Sequence, residues 1–181
     1  MRHAAPVRKE LGVRTAFNLL GPLTNPAGAA RQLVGVPRPE LTELVARSLA
    51  QLGAERAWVV HGADGLDEIS TTGYTKVSEC RDGAVNTFYL HPADVGLQKS
   101  PAGELRGGDA DENARIARAV LSGTPGAPRD IVLLNAGASL LIAERADSIP
   151  EGIAMAGEAI DSGRALAVLE TLIRESQEPK A

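Results

Sequence analysis

A chain of 181 residues in which 44% of the side chains are hydrophobic is long enough to bury one sizeable core. Only 3% are aromatic, so Ala, Leu and Val must fill that core, which favours helices packed on a sheet over an aromatic-rich β-sandwich. A net charge of −4 without any basic block excludes a non-specific nucleic-acid surface, and Cys80, the single cysteine, excludes an internal disulfide and suits a reducing, cytoplasmic setting.

In chain order, residues 1 to 11 are expected to form a helix with Val7 and Leu11 on one face, closed by Gly12. Residues 17 to 26 make an apolar loop punctuated by Gly21, Pro22 and Pro26. Leu33 to Val36 is a short strand. Pro39 opens a helix with a stripe of Leu41, Leu44, Val45, Leu49 and Leu52, ended by Gly53, and Ala57 to Val60 is the next strand. This strand–helix–strand unit implies parallel pairing and a right-handed crossover. Lys76 to Cys80 and Val85 to Leu90 are strands, and Asp82-Gly83 between them signals a hairpin, so the sheet is expected to be mixed.

After an irregular stretch from Pro92 to Gly108, Asp109 and Glu112 fit a capping box for a helix carrying Ile116, Ala119 and Val120. Three helices follow, at about 129 to 145, 150 to 161 and 164 to 175. Ser148 and Glu151 fit a cap, and Leu166, Leu169, Leu172 and Ile173 mark the inner face of the last helix. The longest apolar run, Ile131 to Ala143, is interrupted by Asn135 and is shorter than the roughly 20 residues a membrane span requires. The N-terminus has no signal-peptide pattern, and residues 176–181 are a polar tail. The class is α/β, a mixed β-sheet flanked by helices.

The segment that carries chemistry is His61-Gly62-Ala63-Asp64-Gly65-Leu66-Asp67-Glu68. It puts carboxylates in a glycine-hinged loop at the C-terminal end of a strand, the edge where open α/β sheets bind ligands. Asp67 and Glu68 together suit a hard cation such as Mg²⁺, whose remaining ligands would be phosphate and water oxygens. Turn chemistry alone also favours such residues, and Asp64 is read as an Asx-turn residue bonding its own backbone. His61 is read as a packed, hydrogen-bonded imidazole and Cys80 as a buried, inert thiol. Arg8 and Lys9 close the first helix, where cations complement its dipole; Arg8 can in addition hold a carboxylate with two hydrogen bonds, and Arg14 is a lesser anion contact. Gly107-Gly108-Asp109 stands at a helix start, where capping already accounts for Asp109.

Several segments together resemble the anthranilate phosphoribosyltransferase family. They are Met1-Arg2-His3 with Pro6-Val7-Arg8-Lys9-Glu10-Leu11-Gly12-Val13-Arg14-Thr15, Phe17-Asn18-Leu19-Leu20-Gly21-Pro22-Leu23-Thr24-Asn25-Pro26, the acidic segment from His61 to Glu68, and Gly107-Gly108-Asp109 with Asn113. The resemblance implies residues 1–175 as the C-terminal α/β lobe of the nucleoside phosphorylase/phosphoribosyltransferase-type fold (glycosyltransferase family 3), truncated at its N-terminal side. It implies Mg²⁺ as cofactor held by Asp67 and Glu68, anthranilate held by Arg8, phosphoribosyl pyrophosphate as the second substrate, a role in tryptophan biosynthesis, and a homodimer. The family carries a Gly-Thr-Gly-Gly-Asp loop, a Lys-His-Gly-Asn-Arg segment and a helical domain upstream of what matches Met1. The expectation is therefore an incomplete chain, inactive alone, and whether a separate polypeptide carries its N-terminal half stays open. Two alternatives stay open as well: a related phosphorylase of the same fold, and a noncatalytic α/β module binding a phosphorylated ligand or a partner.

Overall fold

Residues 20–177 are described by the computed structural model. Four strands form one mixed sheet in the order β1 (Arg31–Gly35), β2 (Arg56–Gly62), β3 (Thr75–Arg81) and β4 (Ala84–Leu90). Helix α1 (Leu41–Gln51) connects β1 to β2, which pair in parallel, with Val34 opposite Val59. β3 and β4 add antiparallel, and their turn is the expected Asp82-Gly83 pair, both residues at positive φ, +50° and +78°. That geometry matches the twist of the strands it joins.

β2 is one of the two interior strands, and every one of its residues is buried. Its alternate side chains serve two layers. Ala57 and Val59 face α1, in a cluster with Val34, Val45, Leu49 and Cys80. Trp58 and Val60 face the other way, onto Leu134, Ala138 and Ile142 of α3 (Ala127–Ile142). Burial on both faces explains the unbroken apolar run in the sequence. Each large side chain removed from water there contributes about 1.5–3 kcal/mol. Polar groups on these interior strands are paired: Glu79 Oε1 accepts from Trp58 Nε1 and from Arg56 Nε, each at 2.9 Å, and Arg56 Nη1 donates to the Leu141 carbonyl at 2.9 Å. The Trp58 ring meets Phe88 edge-on at 5.3 Å.

The helices α2 (Ala110–Leu121), α4 (Ile149–Asp161) and α5 (Arg164–Gln177) complete the chain. Asp109 and Ser148 cap α2 and α4 by accepting from the N–H groups of Glu112 and Glu151. The reciprocal arm of the box is missing in both. Glu112 pairs with Arg115, and Glu151 accepts from the Asp147 N–H at 2.8 Å.

Three expectations need correction. Pro39 lies in the turn ahead of α1, which starts at Leu41. The buried face of α1 is Leu41, Val45 and Leu49 with Thr42 and Ala46, while Leu44 and Leu52 are exposed. Thr42 tolerates burial because its hydroxyl donates to the Pro39 carbonyl at 3.0 Å and accepts from Ser78 Oγ at 2.9 Å. On α5 the proposed inner face is only half-buried, and Leu172 is exposed. The helix expected over residues 1 to 11, with Arg8, Lys9 and Arg14, and the last four tail residues lie outside the described residues.

Candidate functional site

β2 delivers the chain to the C-terminal edge of the β1–β2 parallel pair, and the acidic segment turns there. The Gly62 N–H donates to the Leu66 carbonyl at 2.8 Å, the Gly65 N–H returns to Gly62, and the Ala63 N–H donates to Tyr74. Asp64 is absorbed by this turn, as expected. Its Oδ1 accepts from the Leu66 N–H at 3.2 Å, and its Oδ2 accepts from Ser70 Oγ at 2.6 Å and Thr72 Oγ1 at 2.5 Å. Partial desolvation disfavours its charge, but the two hydroxyls and the backbone donor together outweigh that and hold the carboxyl below its usual range.

Asp67 and Glu68 are placed differently. Both are exposed, and among the described residues neither makes a hydrogen bond or an ion pair within the chain. They line a cleft of about 370 Å³ with Leu33, Gly35, Val60, Ile131, Val132 and Asn135. Glu68 also borders a more apolar cleft of about 460 Å³, walled by Ile116, Val120, Ile131 and Leu105 and reaching Gly107 and Asn113. The acidic segment and the Gly107–Asn113 segment, far apart in sequence, thus share one hollow. There Asn113 clamps Gly108, accepting from its N–H and donating to its carbonyl at 3.0 Å each. Among the described residues no three His, Cys, Asp or Glu groups converge into a self-sufficient metal cage. Two adjacent carboxylates without a partner among the described residues would fit a Mg²⁺ ion whose other ligands are phosphate and water oxygens, as that ion prefers.

Two residues that hold this loop escaped the sequence reading. At Gly35 an added Cβ would lie 1.6 Å from the Asp67 carbonyl oxygen, so the loop backbone rests directly on the end of β1. Asn135, on α3, grips Ile69: its Oδ1 accepts from the Ile69 N–H at 3.0 Å and its Nδ2 donates to the Ile69 carbonyl at 2.9 Å. The only advance signal for Asn135 was a polar side chain in an apolar helical run. His61 is packed as expected, its Nδ1 2.8 Å from the Val36 carbonyl, which assigns the proton to that nitrogen. Cys80 is buried, and desolvation raises its thiol pKa, consistent with an inert role. No described helix is long and apolar enough to cross a membrane.

Known proteins are similar to this chain over most of its length. An anthranilate phosphoribosyltransferase of Symbiobacterium thermophilum is 56% identical over 172 residues, covering 95% of this chain and 50% of that protein. The Mesorhizobium japonicum enzyme of the same name is also 56% identical, over 97% of this chain and 52% of its own length. Among solved structures, the anthranilate phosphoribosyltransferase of Thermus thermophilus superposes with a TM-score of 0.86 at 47% identity, over 94% of this chain and 50% of that one. The Saccharomyces cerevisiae enzyme in complex with PRPP and Mg superposes at 0.83 with 35% identity, over 94% of this chain and 49% of that one. The chain therefore spans about half the length of the curated relatives it matches. Residues 1–166 match the family described as glycosyl transferase family, a/b domain, and the chain belongs to that family.

Proposed function

We propose that this chain forms the metal-handling wall of an anthranilate phosphoribosyltransferase, with Asp67 and Glu68 holding Mg²⁺ on the pyrophosphate of phosphoribosyl pyrophosphate. The observation that carries the reading is the split among the three carboxylates of one loop. Asp64 is consumed by the turn, whereas Asp67 and Glu68 have no partner among the described residues and stand on a braced edge. The yeast relative in complex with PRPP and Mg supports the choice of ion.

In the reaction the amine nitrogen of anthranilate bonds to the anomeric carbon as the carbon–oxygen bond to pyrophosphate breaks, and the amine then loses a proton. The task for the protein is to hold two anions together and to receive the negative charge that builds on the leaving group. When bound, Mg²⁺ supplies that charge neutralisation. Asp67 and Glu68 hold the ion, and the apolar walls formed by Leu33, Val60 and Val132 limit water beside it. By the resemblance, Arg8 fixes the acceptor carboxylate. Other groups of the site come from sequence beyond these 181 residues, on the same polypeptide or another, and the complete enzyme works as a cytoplasmic homo-oligomer in tryptophan biosynthesis.

The test is calorimetric titration of the 181-residue chain with pyrophosphate in the presence of Mg²⁺, alongside Asp67→Asn/Glu68→Gln. The double variant is expected to lose Mg²⁺-dependent binding; binding unchanged by it refutes the assignment. A synthesis assay with and without a supplied N-terminal half then examines turnover, which is expected only when both halves are present. In that assay Arg8→Ala should raise the KM for anthranilate more than that for phosphoribosyl pyrophosphate, and Arg8→Lys should rescue it partly, since two-pronged geometry is lost.

A further inference from the structure

We propose that Asn135 is the positioning residue of the acidic pair: by clamping Ile69 from helix α3 it fixes where Asp67 and Glu68 stand. The proposal rests on the metal-handling role given above to those two carboxylates.

Ile69 follows Glu68 directly and belongs to no strand, so no ladder partner exists for its N–H and carbonyl. Its side chain is fully buried, in the core cluster that includes Leu134 and Ala138 of α3. A buried backbone pair without partners is costly, and one side-chain amide answers both groups. The same Nδ2 also lies 2.9 Å from the Ile131 carbonyl, one turn earlier on α3, which holds the amide in a single orientation. That orientation is assigned by its partners, since only a side chain with a donor and an acceptor answers Ile69 at both atoms.

The clamp completes a brace on both sides of the pair. On the N-terminal side, the Leu66 carbonyl and N–H are held by Gly62 and Asp64. Beneath, the Asp67 carbonyl sits against Gly35. On the C-terminal side, Asn135 holds Ile69. Between these holds stand Asp67 and Glu68, and Asn135 itself lines the cleft they face. Outer groups that orient metal-binding residues typically change metal affinity 10- to 100-fold when removed.

The experiment compares the 181-residue wild type with Asn135→Leu, Asn135→Ala, Asp67→Asn/Glu68→Gln, and Ile142→Val. The last trims a core residue on the same helix and leaves the clamp intact. Asn135→Ala removes both groups of the clamp with less bulk and adds no charge to the cleft, and it stands in if the leucine variant does not fold. Two quantities are measured: hydrogen exchange at the Ile69 amide, and Mn²⁺ affinity in the presence of inorganic pyrophosphate by electron paramagnetic resonance. Both Asn135 variants are expected to speed Ile69 exchange at least about tenfold and to weaken Mn²⁺ binding by about the same factor. Ile142→Val is expected to match the wild type in both. Unchanged exchange at Ile69, or faster exchange with unchanged Mn²⁺ affinity while the double carboxylate variant loses it, overturns the proposal alone. Equal weakening of Mn²⁺ binding by Ile142→Val assigns the effect to general stability and also overturns it. Mn²⁺ affinity that the double carboxylate variant does not change overturns the proposal together with the metal-handling role.

Discussion

Helix α5 runs from Arg164 to Gln177 without one buried residue, whereas the irregular loop between β2 and β3 buries Ile69, Ser70 and Thr71 in succession. α5 is held by half-buried Leu166, Leu169 and Ile173 and by a surface ion pair between Arg118 and Glu170. Such exposed pairs contribute at most about 1 kcal/mol. The loop is held by hydrogen bonds to Asp64, by the clamp from Asn135 and by contact with Gly35. Regular backbone and firm attachment are separate properties. The segment that offers the acidic pair has the firm attachment, which is what positioning of charge requires.

The contrast can be broken most severely at Gly35. Any side chain there drives into the Asp67 carbonyl, so Gly35→Ala should cost about 3 kcal/mol, at the upper end of overpacking, by urea denaturation. A loss under about 1 kcal/mol, the lower end of overpacking, would mean that the loop yields easily and is not braced.

Asp64 offers a smaller break with a pH signature. Its carboxyl is held below the ordinary range in the folded chain, so its contribution is fully present above the unfolded value, near about 4, and is lost as pH falls through the lower folded value. Replacing it by Ala should cost about 1 kcal/mol at pH 7, the charged hydrogen bonds being discounted for exposure, and less once the wild-type group is protonated and only neutral hydrogen bonds are left. The check is the difference in urea midpoint between the two proteins from pH 7 down to pH 2.5. A difference that grows on acidification would contradict the sign.

The smallest effect belongs to α5. Leu172→Ser should change stability by no more than about 0.5 kcal/mol, as surface substitutions do. In hydrogen exchange the α5 amides should open faster than Ile69, despite their helical ladder. Slower exchange in α5 than at Ile69 would reverse the comparison.

Much of the sheet was legible because its signals are local. Alternation and apolar runs mark β2, Asp82-Gly83 marks the hairpin, and Asp109 and Ser148 mark two helix starts. The acidic pair was legible for the same reason, as neighbours in one loop. Asn135 was not, because its partner Ile69 lies 66 positions away and an amide in an apolar helix names no partner. Gly35 was hidden likewise, since only the folded chain brings Asp67 across it. On α1, periodicity marked a stripe but left its edges open. In the fold Thr42 goes in, with its hydroxyl satisfied by Pro39 and Ser78, and Leu44 goes out. For α5, an amphipathic pattern spoke of a face to cover and not of how much would cover it.

Trp58 is the only tryptophan, sealed between the sheet and α3 with its N–H on Glu79. Excited beyond the absorption of Tyr74 and Tyr89, the fluorescence of this chain is therefore a one-site signal from the centre of the sheet. An emission-monitored melt would follow the loss of the β2–α3 contact and stay silent while α5 frays. Circular dichroism, which counts every helix, would see that fraying first. The interval between the two curves would then measure, on a single sample and without any label, how far the end of the chain comes loose before the platform of the acidic pair gives way.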